Sequence, residues 1–232
     1  MQNLKVKSAP WWKVNLEFIG NEKMPLIIID NFYSNPQLLV NDAKKQVFTN
    51  NSPYFPGIRA RIPDEYFNPI RNGLSYLIAN VFQYKLGLEL QEAHYSLTTT
   101  PAEQLKLAQR LPHVDGGNDM KIALLHYLCG PEHGGTSFYK QKRTSFETVS
   151  HERFNSYKIA IENDHEEYGA PEANYYNESD QRFEKFYYVD AKFNTAIMYF
   201  GLNLHAITIG EKSLTEEPEF GRLTINSFFN PL

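Results

Sequence analysis

The sequence predicts a mainly β domain with flanking helices, arranged as a barrel or two-sheet jelly roll. Three observations predict it. Strand-like segments follow one another from Lys121 to Phe229, separated by turns containing Gly and Pro. Helical periodicity is clearest in the first ninety residues, where it flanks the β region rather than forming the core. Aromatic residues make up 14% of the chain, with 15 Tyr and 16 Phe. Side chains that large and flat suit a β-rich core and a pocket better than a helical bundle.

The elements follow in order. Met24 to Asp30 is an Ile-rich run ended by Asp30-Asn31, and reads as a buried strand. Ser34-Asn35-Pro36 supplies a capping residue and a proline for the first helical turn. Leu38, Leu39, Ala43 and Val47 then recur at helical spacing, which predicts a helix to about Phe48. Ser52-Pro53-Tyr54-Phe55-Pro56-Gly57 is a loop by composition. Asn68-Pro69 opens a second helix carrying Ile70, Leu74, Leu77, Ile78 and Val81, ending near Gly87. Thr100-Pro101-Ala102-Glu103 has the pattern of a capping box. The expected strands after it are Lys121 to Cys129, Thr136 to Tyr139, Phe193 to Phe200, Leu204 to Ile209 and Arg222 to Phe229. Lys140 to Asp190 mixes charges and tyrosines with few aliphatics. It reads as a partly helical excursion that covers a pocket or forms a homodimer contact.

With 232 residues, 42% hydrophobic and 22% charged, the chain is one domain spanning residues 1–232. It divides into an N-terminal strand-and-helix part to about residue 90 and a β core from 91 that carries the 140–190 excursion. The 23 basic and 27 acidic residues leave a charge of −4, which argues against a nucleic-acid binder. Cys129 is the single cysteine, so no internal disulfide and no Cys-rich metal site is available. Apolar runs such as Leu26-Ile27-Ile28-Ile29 fall well short of the roughly 20 residues of a membrane span. No secretion signal is evident, and a reducing, cytoplasmic setting is the expectation.

Seven histidines are the natural candidates for chemistry. His94, His133, His151 and His165 lie in polar or loop-like surroundings and read as solvated; His126, on a strand beside Tyr127, reads as structural. His113 stands in Leu111-Pro112-His113-Val114-Asp115-Gly116-Gly117. In extended backbone, residues i and i+2 point the same way, so His113 and Asp115 aim an imidazole and a carboxylate at one point. His205 is a lone imidazole in the apolar segment Leu204 to Ile209. Left unsatisfied there, it would cost about 1–3 kcal/mol, so it needs a hydrogen-bond partner or a ligand. Two imidazoles and one carboxylate make a facial triad with open positions opposite, suited to non-haem Fe(II). Zinc with a water would accept the same three ligands. Arg222, Thr224 and Asn226 share one face of the last strand. A guanidinium facing the interior needs an anion, either a ligand carboxylate or a surface acid such as Glu217 or Glu219.

Together the pieces resemble the Fe(II)/2-oxoglutarate-dependent dioxygenases, with the prolyl-4-hydroxylase-like branch nearest. They are His113-Val114-Asp115, Tyr127-Leu128, Gly134-Gly135-Thr136-Ser137-Phe138, His205 and Arg222-Leu223-Thr224. Gln109 to Asp115, Gly221 to Phe229 and Tyr54 to Arg59 further resemble a bacterial family of oxygenase-like proteins, often encoded near tryptophan-halogenase-like genes. The resemblance implies a double-stranded β-helix (jelly roll, cupin-like). It also implies His113, Asp115 and His205 as ligands of Fe(II), and Arg222, helped by Tyr127 and Thr224, as the anchor for the distal carboxylate of 2-oxoglutarate. Molecular oxygen and a small-molecule or peptide substrate would be the other partners, with hydroxylation, succinate and carbon dioxide as the outcome. The chain departs from the pattern at Glu211 to Phe220, which lengthens the connection between His205 and Arg222. A non-catalytic ligand-binding module on the same barrel, or a cupin-like metalloenzyme without 2-oxoglutarate, are the alternatives.

Overall fold

Eleven strands and three α-helices are seen in the computed structural model, which describes residues 2–50, 52–84, 88–116, 119–212 and 214–231. In chain order the strands are β1 (Gln2–Leu4), β2 (Lys13–Ile19), β3 (Met24–Asp30), β4 (Gly57–Arg61), β5 (Leu88–Thr98), β6 (Ile122–Tyr127), β7 (Gly134–Gln141), β8 (Phe183–Asp190), β9 (Thr195–Phe200), β10 (His205–Ile209) and β11 (Arg222–Pro231). The helices are α1 (Pro36–Ala43), α2 (Arg71–Asn80) and α3 (Phe154–Tyr168). All strand pairs are antiparallel. One sheet runs β1-β2-β3-β9-β6-β11-β5-β4 and the other β10-β7-β8. The architecture is therefore mainly β and two-sheeted, and among the described residues the ladders do not close into a barrel.

Alternation along the strands creates the layers. On one face of the large sheet, Ile27, Ile29, Leu124, Met198, Leu223 and Ile225 meet Leu39 and Val40 of α1 and Leu74, Leu77 and Ile78 of α2. Leu26, Leu125, Tyr127, Ile197 and Tyr199 occupy the opposite face and meet Phe138 and Val189 of the small sheet. Beyond the small sheet, Tyr139, Phe183 and Ala206 are covered by Tyr157 and Ile161 of α3. Each buried aliphatic side chain contributes about 1.5–3 kcal/mol, so three apolar interfaces hold four layers in place.

Several boundaries differ from the expectation. Helix α1 ends at Ala43 rather than near Phe48, because Thr49 leaves helical bonding and exchanges two backbone hydrogen bonds with Arg59, both 2.9 Å. Val47, expected on its buried side, is 83% exposed. Helix α2 begins at Arg71 and ends at Asn80; Gly87, where its end was expected, lies outside the described residues. Ala102–Gln104 is a short 3-10 turn without the side-chain bond of a capping box, since Pro101 occupies the cap. The N-terminal part holds β1, β2 and β4 as well as β3. The excursion after β7 is narrower than expected, because β8 returns within it to pair with β7 from Gly135–Asp190 to Gln141–Phe183. No helix of the described residues is long and apolar enough to cross a membrane.

Candidate metal centre

Backbone pairing brings His113 and His205 together. His113 N–H donates to the His205 carbonyl and His205 N–H to the His113 carbonyl, both at 2.9 Å. This is a single antiparallel rung on the free edge of β10. Residues paired in this way point to the same side, and their ring centroids lie 4.4 Å apart. Two residues on, Asp115 N–H donates to the Gly201 carbonyl at 2.7 Å, which ties the carboxylate to the turn after β9. A Cβ on Gly201 would stand 3.1 Å from the Asp115 Cβ and 3.2 Å from Oδ2, so glycine there leaves the carboxylate its room. One donor atom from each of His113, Asp115 and His205 lies within 4.8 Å of the other two.

Several details fit this trio to a cation. His205 Nδ1 lies 2.8 Å from the Asn203 carbonyl, which makes it the protonated nitrogen and leaves Nε2 with its lone pair, 3.6 Å from Asp115 Oδ1. Asp115 Oδ2 is buried without a hydrogen-bond partner. Desolvation by the surrounding cavity walls holds the His113 imidazole below its ordinary value, helped by His205 and opposed by Asp115. Burial likewise takes His205 down to about 4, against its bond to Asn203. The Asp115 carboxyl is pushed up to about 6 by burial, with His113, Lys121 and Arg59 holding it back. At neutral pH the site thus presents two neutral imidazoles and one carboxylate, the protonation states that metal ligation requires.

The trio lies on a cavity of about 1300 Å³ between the sheets, which exceeds the usual span of small-molecule sites. His113 faces this space and is reached by solvent through it, while His205 is buried behind. Helix α3 contributes Phe154, Tyr157 and Ile161 to the wall, and the segment after it contributes Tyr175 and Tyr176, so the excursion does cover a pocket. Tyr199 stands edge-on to His205 with centroids 5.0 Å apart and also lines the cavity.

Arg222 reaches the same cavity and is 2% exposed. Its Nη2 donates to the Gly135 carbonyl at 2.7 Å, while Nε is buried without a partner. No carboxylate of the described residues lies within ion-pair distance of it; Glu219, one of the acids considered for it, pairs with Lys44. A buried guanidinium left so is costly unless an anion meets it. Thr136 lines the cavity too, and its Oγ1 is 2.6 Å from the Tyr127 hydroxyl. Tyr127 is fully buried behind Thr136 and is not part of the wall. Thr224 lies off the wall as well, its hydroxyl 2.7 Å from Asn226 Oδ1. The lengthened connection before Arg222 leaves β11 undisturbed: Arg222 pairs with Thr98 and Thr224 with both Ser96 and Tyr127.

The remaining histidines sort differently from expectation in two cases. His133 is buried, 5% exposed and 3.7 Å from Glu132, because the turn Pro131–His133 tucks it inside. His94 lines the cavity, 3.8 Å from Glu92. His126 is structural: Nε2 lies 3.2 Å from Asn194 Oδ1 and Nδ1 3.1 Å from the Tyr66 hydroxyl. Thr136, Tyr199 and Arg59 are wall residues that sequence reading did not single out. Thr136 and Arg59 each lay within a motif that carried a resemblance, Gly134 to Phe138 and Tyr54 to Arg59, but Tyr199 carried no signal.

A search of curated proteins finds no match. Among solved structures, the chain is similar to HygX from Streptomyces hygroscopicus with nickel, 2-oxoglutarate and hygromycin B bound, at 13% identity over 89% of this chain and 82% of that one, TM-score 0.48. The iron-bound form of HygX gives 14% identity over 89% and 82%, TM-score 0.49. An N-substituted L-amino acid dioxygenase from Burkholderia ambifaria AMMD gives 14% identity over 90% and 83%, TM-score 0.43. A family profile, in contrast, matches nearly the whole chain, residues 10–229, and by that match the protein belongs to DUF6445, described as a family of unknown function.

Proposed function

We propose that this protein is a non-haem Fe(II)- and 2-oxoglutarate-dependent oxygenase that oxidises a small-molecule or peptide substrate, hydroxylation being the simplest outcome. The observation that carries the reading is the convergence of the His113, Asp115 and His205 donor atoms within 4.8 Å on a cavity that also holds Arg222. Two imidazoles and one carboxylate leave coordination positions open, as an iron that takes a chelating cosubstrate requires. The chain would then be one oxygenase-like domain over residues 1–232, its two sheets the halves of a double-stranded β-helix. It would work in the cytoplasm, where ferrous iron stays reduced.

Each residue has a definite task. Asn203 fixes the His205 tautomer, so that Nε2 faces the metal position. Gly201 gives Asp115 its room and holds its backbone. Arg222 offers its guanidinium to the distal carboxylate of 2-oxoglutarate, a charge-assisted pair that offsets the burial of both charges. Thr136 is the hydroxyl placed to join that contact, with Tyr127 setting its orientation from behind. Thr224 contributes through the strand rather than by touching the cosubstrate, holding Asn226 beside the cavity. Tyr157, Tyr175 and Tyr176 close the side away from the large sheet and keep water out. Iron and 2-oxoglutarate, when bound, supply the oxidising chemistry with oxygen, giving succinate and carbon dioxide as coproducts.

Succinate release tests the reading without knowledge of the substrate. Wild-type protein with Fe(II), 2-oxoglutarate and air is expected to form succinate slowly, and His205→Ala to lose that activity. Binding of 2-oxoglutarate with no succinate would instead make the protein a ligand-binding module. Metal-dependent chemistry indifferent to 2-oxoglutarate would make it a cupin-like metalloenzyme.

A further inference from the structure

Arg59 is the second cationic side chain in the cavity that lacks a full partner. It sits on β4 and its backbone is clamped on both sides, by the two 2.9 Å bonds to Thr49 and by pairing with Ser96 of β5. Its guanidinium stacks over Phe55, 4.8 Å from the ring centroid, and the side chain is 17% exposed. The nearest carboxylate, Glu92, is 3.7 Å away and largely open to solvent, while Arg59 Nε is buried without a partner. A guanidinium held this rigidly loses little freedom on meeting a ligand, and its fork geometry matches planar or tetrahedral oxyanions.

Charge accounting along the wall gives Arg59 a purpose. The basic lining residues are Arg59, Arg61, Lys121 and Arg222, and the acidic ones are Glu92 and Asp115. Arg61 is neutralised outside the cavity by Asp64 at 2.6 Å. On the proposed reading, a divalent cation, Asp115, a dianionic cosubstrate and Arg222 balance one another. Arg59 and Lys121 then face Glu92 alone, which leaves one positive charge uncompensated. Lys121 gives one N–H to the neutral Asp115 carbonyl at 3.1 Å, whereas Arg59, long-paired to Glu92 at 3.7 Å, keeps its buried Nε unpartnered and is the rigidly held fork that can meet an incoming anion. At the mouth stand three large apolar side chains that water reaches freely: Val47, Tyr54 and Phe154.

We propose that Arg59 recognises an acidic group on the substrate to be oxidised, and that the substrate's apolar body lies along Tyr54 and Phe154 toward the mouth. The substrate class is then a small organic anion with an apolar or aromatic portion, a carboxylate or a phosphate ester. This rests on the oxygenase reading for the identity of the bound molecule as substrate, but anion recognition by Arg59 is measured separately. Anaerobic calorimetry on protein loaded with Fe(II) and 2-oxoglutarate would use two pairs of probes, 3-phenylpropanoate with 3-phenylpropanamide and phenyl phosphate with phenol. The anion of at least one pair is expected to bind about 10- to 100-fold more tightly than its neutral partner, the effect of one charge-assisted contact. Whichever pair shows the larger ratio names the acidic group.

In Arg59→Gln that preference is expected to vanish, and in Arg59→Lys, which keeps the charge without the fork, to survive in weakened form. A purely structural role would weaken both members of a pair equally, and a thermal melt reports any loss of fold. No charge preference in the wild type, including failure of every probe to bind, would overturn the proposal, as would a preference that persists in Arg59→Gln. Should the wild type fail to take up Fe(II) and 2-oxoglutarate, the oxygenase reading falls. An Arg59-dependent preference measured on the metal-free protein would still establish the anion site.

Discussion

Arg222 is the residue whose environment most constrains what the cavity accepts, because its charge is buried, its Nε is unpartnered and no acid of the described residues balances it. Removing the guanidinium is expected to weaken 2-oxoglutarate binding by about 2–5 kcal/mol, the cost of stripping one partner from a buried charge pair. Titration of the Arg222→Ala variant with 2-oxoglutarate checks this, and an unchanged requirement would assign the anchor elsewhere. At this scale the convergence of His113, Asp115 and His205 was legible in the sequence: a spaced imidazole and carboxylate on extended backbone, and a lone imidazole in an apolar strand, are local signals. Thr136 and Arg59 lay inside motifs that were read, but their places on the wall were not legible, since these come from tertiary contacts, with Tyr127 for one and with Thr49 and Ser96 for the other. Tyr127 and Thr224 show the complementary limit. Their alternation along the strand is right, yet neither reaches the cavity wall, because Thr136 stands before one and Asn226 engages the other.

Among the elements, β10 and β11 do the positioning. The rung between His113 and His205 places one imidazole on an edge strand and the other on the segment that pairs with it. Strand β11 lies between β5 and β6, so its register is set from both sides. Removing three or four residues from the connection between Gly210 and Gly221 is therefore expected to leave the 2-oxoglutarate requirement within about twofold of wild type. A large rise in that requirement would show that the connection, rather than the strand pairing, sets the Arg222 position. Strands β3, β6, β9, β10 and β11 were legible from runs of β-branched and aromatic residues. Strands β2 and β8 were harder to see, because they lie at or next to a sheet edge and much of each is only partly buried, which interrupts the apolar runs. The helix ends were misread for a related reason. Periodicity continues past Ala43, but the backbone of Thr49 finds better bonding across to Arg59.

At the level of the whole molecule, the helix-covered core and the cavity lie on opposite faces of the large sheet, which separates stability from chemistry. His126 belongs to the core side, between Phe32, Tyr66 and Asn194. Burial pulls its imidazole down to about 3, against its N–H bond to Asn194 Oδ1, which favours the charged form. The unfolded chain binds a proton near the ordinary histidine value of about 6.5, whereas the folded chain does not. Stability from this group is therefore complete above about pH 6.5 and declines as pH falls toward 3, by up to about 1.4 kcal/mol per pH unit. Urea denaturation between pH 7 and pH 5 is expected to show a shallower decline for His126→Asn than for wild type. Parallel curves would mean that His126 is not held neutral by the fold. The two-sheet character was legible from the succession of short strands. The open arrangement of the ladders was not, because closure depends on which edges meet and no local pattern encodes that.

On the proposed reading, His113, Asp115 and His205 hold an iron to which 2-oxoglutarate then binds under the control of Arg222. Anaerobic titration of the metal-free protein with Fe(II) and then 2-oxoglutarate tests it most directly, followed by visible absorption. A weak charge-transfer band is expected that saturates at one equivalent of iron, is absent in His205→Ala and needs more 2-oxoglutarate in Arg222→Ala. A wild-type protein that shows no band, or an undiminished band in His205→Ala, would contradict it.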